Sequence, residues 1–324
     1  MPPQTMSSTG AQQQQKRPTR QGRKILLDAS KREQFGVLSG FRSLVRKLRA
    51  EWSVESNNEE ISDGTFIDCR LFIIPSPRAK FNVSEIDALR KFLAEGGGLL
   101  VMASEGGEAE ADTNINFILE EYGVMANSDA VIRTVFYKYF DPKEALVTNG
   151  VLNRAIAGAA GKGSTTDQNT NAQSLSFVYP YGCTLSVNRL SSAVLSTGSA
   201  CFPTARPIAA FHSAEGTGRL AVIGSVHVFH DSYVDKEENA KLFKVFIDFL
   251  LGHVELNKID AAEPEVSDYQ QIPDHVYLSE QMKVCLSEGD MDATSAAAIG
   301  GDFIRLFDQR LAAFDMAKWP RVLR

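Results

Sequence analysis

Cysteine and histidine are scarce, with 4 and 5 among 324 residues, and their placement excludes much of the chemistry they usually serve. Cys69, Cys183, Cys201 and Cys285 lie far apart with no C-x-x-C pair. That pattern fits ordinary thiols in a reducing compartment rather than a disulfide frame or a zinc site. No apolar run approaches the roughly 18 residues of a membrane span, and no charged-then-apolar signal peptide opens the chain. The expectation is a soluble protein with no membrane insertion. A concentrated basic face is missing too. The formal net charge is −6, and the one basic cluster, Lys16, Arg17, Arg20, Arg23 and Lys24, lies in or beside a Gln-rich tail, so nucleic acid is not an expected partner. Residues 1–22 carry almost no apolar side chains and read as a disordered leader. Acidic residues are absent before Asp28, as in a mitochondrial presequence, but the apolar helical face such a peptide needs is missing.

From Lys24 onward, strands and helices alternate. "KILLDAS" is a short apolar strand ending in a polar turn, and Val37, Leu38, Phe41, Leu44, Val45 and Leu48 then recur at helical spacing. "LFIIP" and "LLVM" are apolar throughout, as strands buried on both faces of a parallel sheet must be. Between them Ser84-Glu85-Ile86-Asp87 resembles a capping box, followed by a stripe of Ile86, Leu89, Phe92 and Leu93 that Gly96, Gly97 and Gly98 terminate. Ile115, Ile118, Leu119 and Tyr122 mark a further helix stopped by Gly123. The alternation predicts an α/β fold with a doubly wound parallel sheet and helices on both faces. The second half is strand-rich: "SLSFVYPYGCTLSV", "SAVLST" and "RPIAAFHS" look extended, and "AEGTGRLAVIGSVHVF" reads as two strands joined by a turn. A last helix is expected behind an Asp235-x-x-Glu238 cap, with Leu242, Phe246, Phe249 and Leu250 buried and Gly252 as its stop.

Catalytic motifs are absent where they would be expected. In "MASEG" after the third apolar strand, Met102 stands where a nucleophile elbow needs glycine, so Ser104 is a poor nucleophile. Glu105, Glu108, Glu110 and Asp112 in the same loop would repel phosphate and carboxylate ligands. "GAAGKGSTT" has Ile156 and Gly163 where a phosphate loop needs glycine and Ser/Thr, and reads as a flexible loop. The densest set of potential ligands is His227, His230, Asp231, Asp235, Glu237 and Glu238. In an extended segment His227 and His230 point to opposite faces, and the spacing matches neither a zinc helix nor a calcium loop. His227, His230, Asp231, Asp235 and Glu238 are therefore expected to form a structural polar junction, with no metal, no cofactor and no catalytic residue.

The run from Gly218 to Asn239, "GRLAVIGSVHVFHDSYVDKEEN", together with "HVELNKIDAAEPEVSDYQQIP", "KILLDASKREQF", "FNVSEIDALRKFLAEGGGLLVMASEGGE" and "NINFILEEYGV", resembles the intraflagellar transport protein 52 family, core subunits of the ciliary transport complex B. The match runs from about Lys24 to Asp315. The resemblance implies a flavodoxin-like domain related in shape to class I glutamine amidotransferases but lacking their catalytic cysteine. Residues 23–255 would form it, followed by an acidic linker over 256–300 and a partner-binding helix over 301–324. It further implies a noncatalytic scaffold for cilium or flagellum assembly, found there, at the basal body and in a cytoplasmic pool. Other complex B subunits would be its partners, in particular the tetratricopeptide-repeat subunit, with kinesin and dynein motors associated indirectly.

In "DFIRLFDQRLAAFD", Phe303, Phe307, Leu311 and Phe314 fall on one helical face, and an isolated helix this short is marginal in water, so the stripe is the candidate partner-binding element. Family members continue with a proline-rich stretch and a helical region, whereas this chain ends on "MAKWPRVLR"; it is expected to be truncated, without the contacts of the missing portion. A second reading makes the domain a carbohydrate or other small-molecule binder, or a weak hydrolase, using the strand-end loops around Asp28, Ser30, Ser76, Ser104 and His230. Convergence of those side chains on one pocket would distinguish it.

Overall fold

A computed structural model of the chain describes residues 22–135, 138–162, 175–214 and 218–266. Seven strands form the central sheet: β1 (Lys24–Asp28), β2 (Ser53–Asn57), β3 (Cys69–Pro75), β4 (Gly98–Met102), β5 (Ser192–Ser196), β6 (Pro207–Ser213) and β7 (Arg219–Ile223). Their order is β2-β1-β3-β4-β7-β6-β5, parallel from β2 to β7 and antiparallel from β7 through β6 to β5. The start of that order, with β1 between β2 and β3 and then β4, is the flavodoxin-like arrangement, whose topological switch lies between β1 and β3.

Alternation along the strands sorts the core into two layers. Ile25, Leu27, Leu71, Ile73, Leu100, Met102, Ala221 and Ile223 face one side, where helices α1 (Arg42–Leu48) and α3 (Asn239–Leu251) supply Leu44, Val45, Leu242, Phe246 and Phe249. Leu26, Phe72, Ile74, Leu99, Val101, Leu220 and Val222 face the other, against Ile86, Leu89, Phe92 and Leu93 of α2 (Val83–Ala94) and Ile118 and Leu119 of the short helix Asn116–Leu119. Parallel strands buried on both faces explain why the sequence carries unbroken apolar runs there.

Several boundaries differ from the sequence expectation. The stripe beginning at Val37 is helical only over α1, because Gly36 and Ser39 exchange backbone hydrogen bonds in a tight turn and leave Leu38 81% exposed. The box at α2 sits two residues earlier than expected: Asn82 is the N-cap and accepts from the Glu85 amide at 2.8 Å, while Glu85 accepts from the Asn82 amide at 2.8 Å. The segment Val226–Phe229 is a 3₁₀ turn, not the end of a strand. The sheet ladder stops when the Val226 amide donates to the Ala103 carbonyl at 2.7 Å, and the turn buries Val226, Val228 and Phe229 together. α3 begins at Asn239 with no side-chain cap from Glu238, and Asp235 lies outside it; Gly252 ends it with φ of +93°. The first part of the expected flexible loop is helical over Arg154–Ala159, and residues 163–174 lie outside the described residues.

The expected linker start at residue 256 falls within ordered structure. Asn257 caps the helix Lys258–Ala262, and its backbone exchanges hydrogen bonds with the Asn153 side chain at 3.0 and 3.1 Å. Arg154 grips Asp260 through Nε and Nη2. This helix is therefore held by the body of the domain.

Candidate functional site

Ligands in open α/β sheets bind outside the carboxyl ends of the strands, at the switch point. In this chain that crevice is crossed by the chain's own bonds. The loop after β1 lies against the loop after β3: the Arg78 amide donates to the Lys31 carbonyl at 2.8 Å, and Arg78 Nη2 donates to Gln34 Oε1 at 2.8 Å. Beneath them Lys31 Nζ meets Glu85 Oε2 at 2.6 Å, with the two side chains only 9% and 1% exposed. Glu85 also accepts from the Ile61 amide at 3.3 Å, so one carboxylate caps α2, anchors a loop and neutralises a lysine. Phe35 fills the outer end, with ring centroids 4.5 Å from His230 and 5.1 Å from His227.

The five residues of the small-molecule reading fall into two linked pairs, Asp28 with Ser30 and Ser76 with Ser104, and a separate His230. Asp28 is fully buried, accepting from Asn57 Nδ2 at 2.9 Å and from the Ser30 amide at 3.3 Å. Ser76 Oγ lies 3.2 Å from Ser104 Oγ, and among the described residues no hydrogen bond joins Ser104 to a histidine. His230 packs on Phe35 and Gly40. An open groove of about 620 Å³ lies elsewhere, bordered by Asn149, Arg154, Ser196, Thr204 and Asp260.

The polar junction is likewise distributed. His227 sits among Phe35, Tyr181 and His230, and burial, reinforced by the neighbouring His230, pushes it down to about 4; it is neutral at physiological pH. His230 is also lowered by burial, and its Nδ1 accepts from the Ser232 amide at 3.1 Å. Since Val226–Phe229 is a 3₁₀ turn, the two rings approach to 6.2 Å instead of pointing to opposite faces. Asp231 accepts from the Arg42 and Ser43 amides at 3.0 and 2.8 Å, capping α1 from a distance of 189 positions in sequence. Asp235 pairs with Lys47 at 3.2 Å. Glu238 accepts from the Ser176 amide at 3.0 Å and pairs with Lys162 and Lys241. Lys162, the lysine of the decoy phosphate loop, is thus engaged internally. Among the described residues no group of three or more His, Cys, Asp and Glu is arranged to hold a metal ion.

Asp231→Ala is expected to lower stability by about 1 kcal/mol, the usual worth of a helix cap, read as a shift of the urea midpoint. An unchanged midpoint would show that solvent replaces the cap.

Buried thiols complete the inventory: Cys69, Cys183 and Cys201 are free, burial pushes Cys183 well above the ordinary thiol range, and Cys201 is raised to about 11. Such groups stay protonated and poorly nucleophilic. Sequence reasoning passes over Lys31, Glu33, Asn57 and Arg78, and reads Glu85 only as a member of a capping box. The available signal was position: polar residues immediately after apolar strands occupy the edge where ligands or bonds must satisfy them.

The family model for the IFT52 GIFT domain matches residues 24–262, from the first residue of β1 to the last residue of the docked helix Lys258–Ala262. The chain belongs to the intraflagellar transport protein 52 family. The mouse member, intraflagellar transport protein 52 homolog of Mus musculus, is 50% identical over 308 residues, covering 93% of this chain and 71% of the mouse protein. The human homolog is 47% identical over 306 residues, covering 92% of this chain and 68% of its own length. Among solved structures, the mmIFT52 N-terminal domain superposes with a TM-score of 0.66 at 50% identity, covering 71% of this chain and 97% of that domain. Membership of the intraflagellar transport protein 52 family makes this an intraflagellar transport protein, associated with the cilium or flagellum. Phe303, Phe307, Leu311 and Phe314 lie outside the described residues.

Proposed function

We propose that the chain is a noncatalytic scaffold subunit of intraflagellar transport complex B, acting in cilium assembly through protein contacts. The observation that carries this reading is the 50% identity to the mouse homolog across 93% of the chain. The closed crevice supports it: loop-to-loop bonds from Lys31, Gln34, Arg78 and Glu85 occupy the place where an enzyme of this architecture would hold substrate. The globular unit presents surface, and the stripe Phe303, Phe307, Leu311 and Phe314 supplies an apolar helical face for the tetratricopeptide-repeat subunit. In this proposal kinesin and dynein are reached through other subunits, and the protein resides at the cilium and basal body with a cytoplasmic pool. Residues 1–22 act as a leader, 23–262 as the globular unit and the remainder as linker and partner element.

Co-purification tests it. The full chain and a version ending at Val266, which keeps the Asn153–Asn257 and Arg154–Asp260 ties, are each mixed with the tetratricopeptide-repeat subunit. Capture of the full chain alone is expected. Capture of both moves the contact to the globular unit, and capture of neither sinks this partner assignment.

A further inference from the structure

Beside the Lys31–Glu85 pair lie two carboxyl groups that the preceding bonds do not explain. Asp28 ends β1 and is fully buried, while Glu33 lies in the loop that leads to α1. One oxygen of each is accounted for: Asp28 Oδ1 accepts from Asn57 and the Ser30 amide, and Glu33 Oε2 accepts from the Lys31 amide at 2.9 Å. The other two, Asp28 Oδ2 and Glu33 Oε1, are buried and have no hydrogen-bond donor. The two carboxyl groups are within hydrogen-bonding reach of one another. Two ionised carboxylates placed this way would repel at short range, and the one nearby hydroxyl, Ser30 Oγ, could satisfy at most one of their two orphaned oxygens. One proton removes both penalties, turning an acceptor into a donor.

Cations on the surrounding elements are committed elsewhere. Lys31 Nζ is bound to Glu85 of α2, Arg78 of the β3–α2 loop donates to Gln34, and Arg32 is exposed. From β2 the contact is the neutral Asn57, whose amide also donates to the Glu59 carbonyl at 2.9 Å. The neighbouring charges therefore leave the pair without a counter-ion of its own.

We propose that Asp28 and Glu33 share a single proton, and that this carboxyl–carboxylate hydrogen bond latches the β1–α1 loop down on the end of β1, beside the bonds by which Lys31 and Gln34 reach across the switch-point crevice. Burial first, and the adjacent Asp28 charge second, push Glu33 up to about 8, so the proton is retained at neutral pH. Asp28 is raised as well, chiefly by burial. The folded state thus holds a proton that the unfolded chain has released, and the sign of the linkage follows. The stabilisation from Glu33 is fully present below its unfolded value near 4.5, and is lost as pH rises through about 8. The loop that carries Lys31, Gln34 and Phe35 loosens over the same interval, opening an edge that is otherwise closed.

Unfolding of the full chain at pH 6.5, followed in buffers of different ionisation enthalpy, counts the protons exchanged. The wild-type protein is expected to release about one proton more than Glu33→Gln, because the amide donates to Asp28 without titrating; taking the difference cancels the histidines. Its protonated-carboxyl infrared band should vanish in the variant. Exchange of the Arg78 amide should accelerate between pH 7 and 9 in the wild type beyond the intrinsic rate, and remain slow in Glu33→Gln. Equal proton counts would overturn the proposal. So would stabilisation of the wild type, but not the variant, by millimolar Mg²⁺ or Ca²⁺ at pH 6.5 with loss of the infrared band, which would put a cation between the carboxylates. If Glu33→Gln fails to fold, Asp28→Asn is the second variant, and the same difference of about one proton is expected.

Discussion

Asn239→Ala is expected to destabilise the protein by about 3–4 kcal/mol, because it strips partners from several buried backbone groups at once. Asn239 is the first residue of α3 and is fully buried. Its Oδ1 accepts from the Val178 amide at 3.0 Å, and its Nδ2 lies 3.1 Å from the carbonyls of Val178, Val228 and Tyr233. Two amide protons serve three carbonyls, so one is shared. The side chain therefore treats Val178 as a neighbouring strand would, bonding both its amide and its carbonyl, while also holding the 3₁₀ turn and the stretch before α3. Alanine offers none of these bonds and is too small to let the segments close over the gap. Asn239→Asp should be at least as damaging, since a carboxylate keeps the acceptor but faces three carbonyl oxygens with no proton to give. Urea denaturation of both variants measures this. A loss below about 1 kcal/mol in both would mean that water enters and replaces the network.

The second large effect concerns Lys31. Lys31→Met preserves length and packing but leaves Glu85 buried without its cation, and breaking such a pair from one side typically costs about 3–5 kcal/mol. The Lys31 side chain ties its loop to α2 and its carbonyl ties it to the loop after β3, so the loss should appear as global destabilisation and as faster exchange around Arg78. Glu85→Gln added to Lys31→Met removes the orphan charge while keeping one carbonyl oxygen for the α2 cap. The double variant should recover to within about 2 kcal/mol of wild type. Simple additivity of the two substitutions would show that Lys31 and Glu85 do not act as a pair.

What the sequence discloses and what it conceals divide along physical lines. β1, β3 and β4 and the stripe of α2 are legible, since burial on two faces or along one stripe writes a run or a period into the residue order. The 3₁₀ turn at Val226–Phe229 is concealed because V-H-V-F alternates as a strand does, and only the nearby Ala103 carbonyl ends the ladder. The polar residues from Asp231 on read in the sequence as a junction, but their partners Arg42, Lys47 and Ser176 lie far away in sequence and no local spacing reveals them. Asn239, Lys31 and Glu85 are single polar residues whose roles come from contacts across the fold. A hydrogen bond has no period. The missing glycine of a nucleophile elbow, by contrast, is local and can be read from the residue order, whereas the contact of Ser104 Oγ with Ser76 Oγ at 3.2 Å cannot.

The two borders of the sheet bear on how the protein avoids binding itself. An unpaired strand is a template for any other strand, including that of a second copy. β2, at one border, is only five residues long and points Glu55 outward, where Lys24 pairs with it at 3.3 Å. β5, at the other, has its free side covered, since the Ser196 amide donates to the Gly150 carbonyl and Leu195 is bridged by Val151. One border is blunted by charge and shortness, the other by a covering segment. High local concentration in a transport assembly therefore need not drive strand-to-strand association, and a substitution such as Glu55→Val would expose the chain to aggregation without weakening its core.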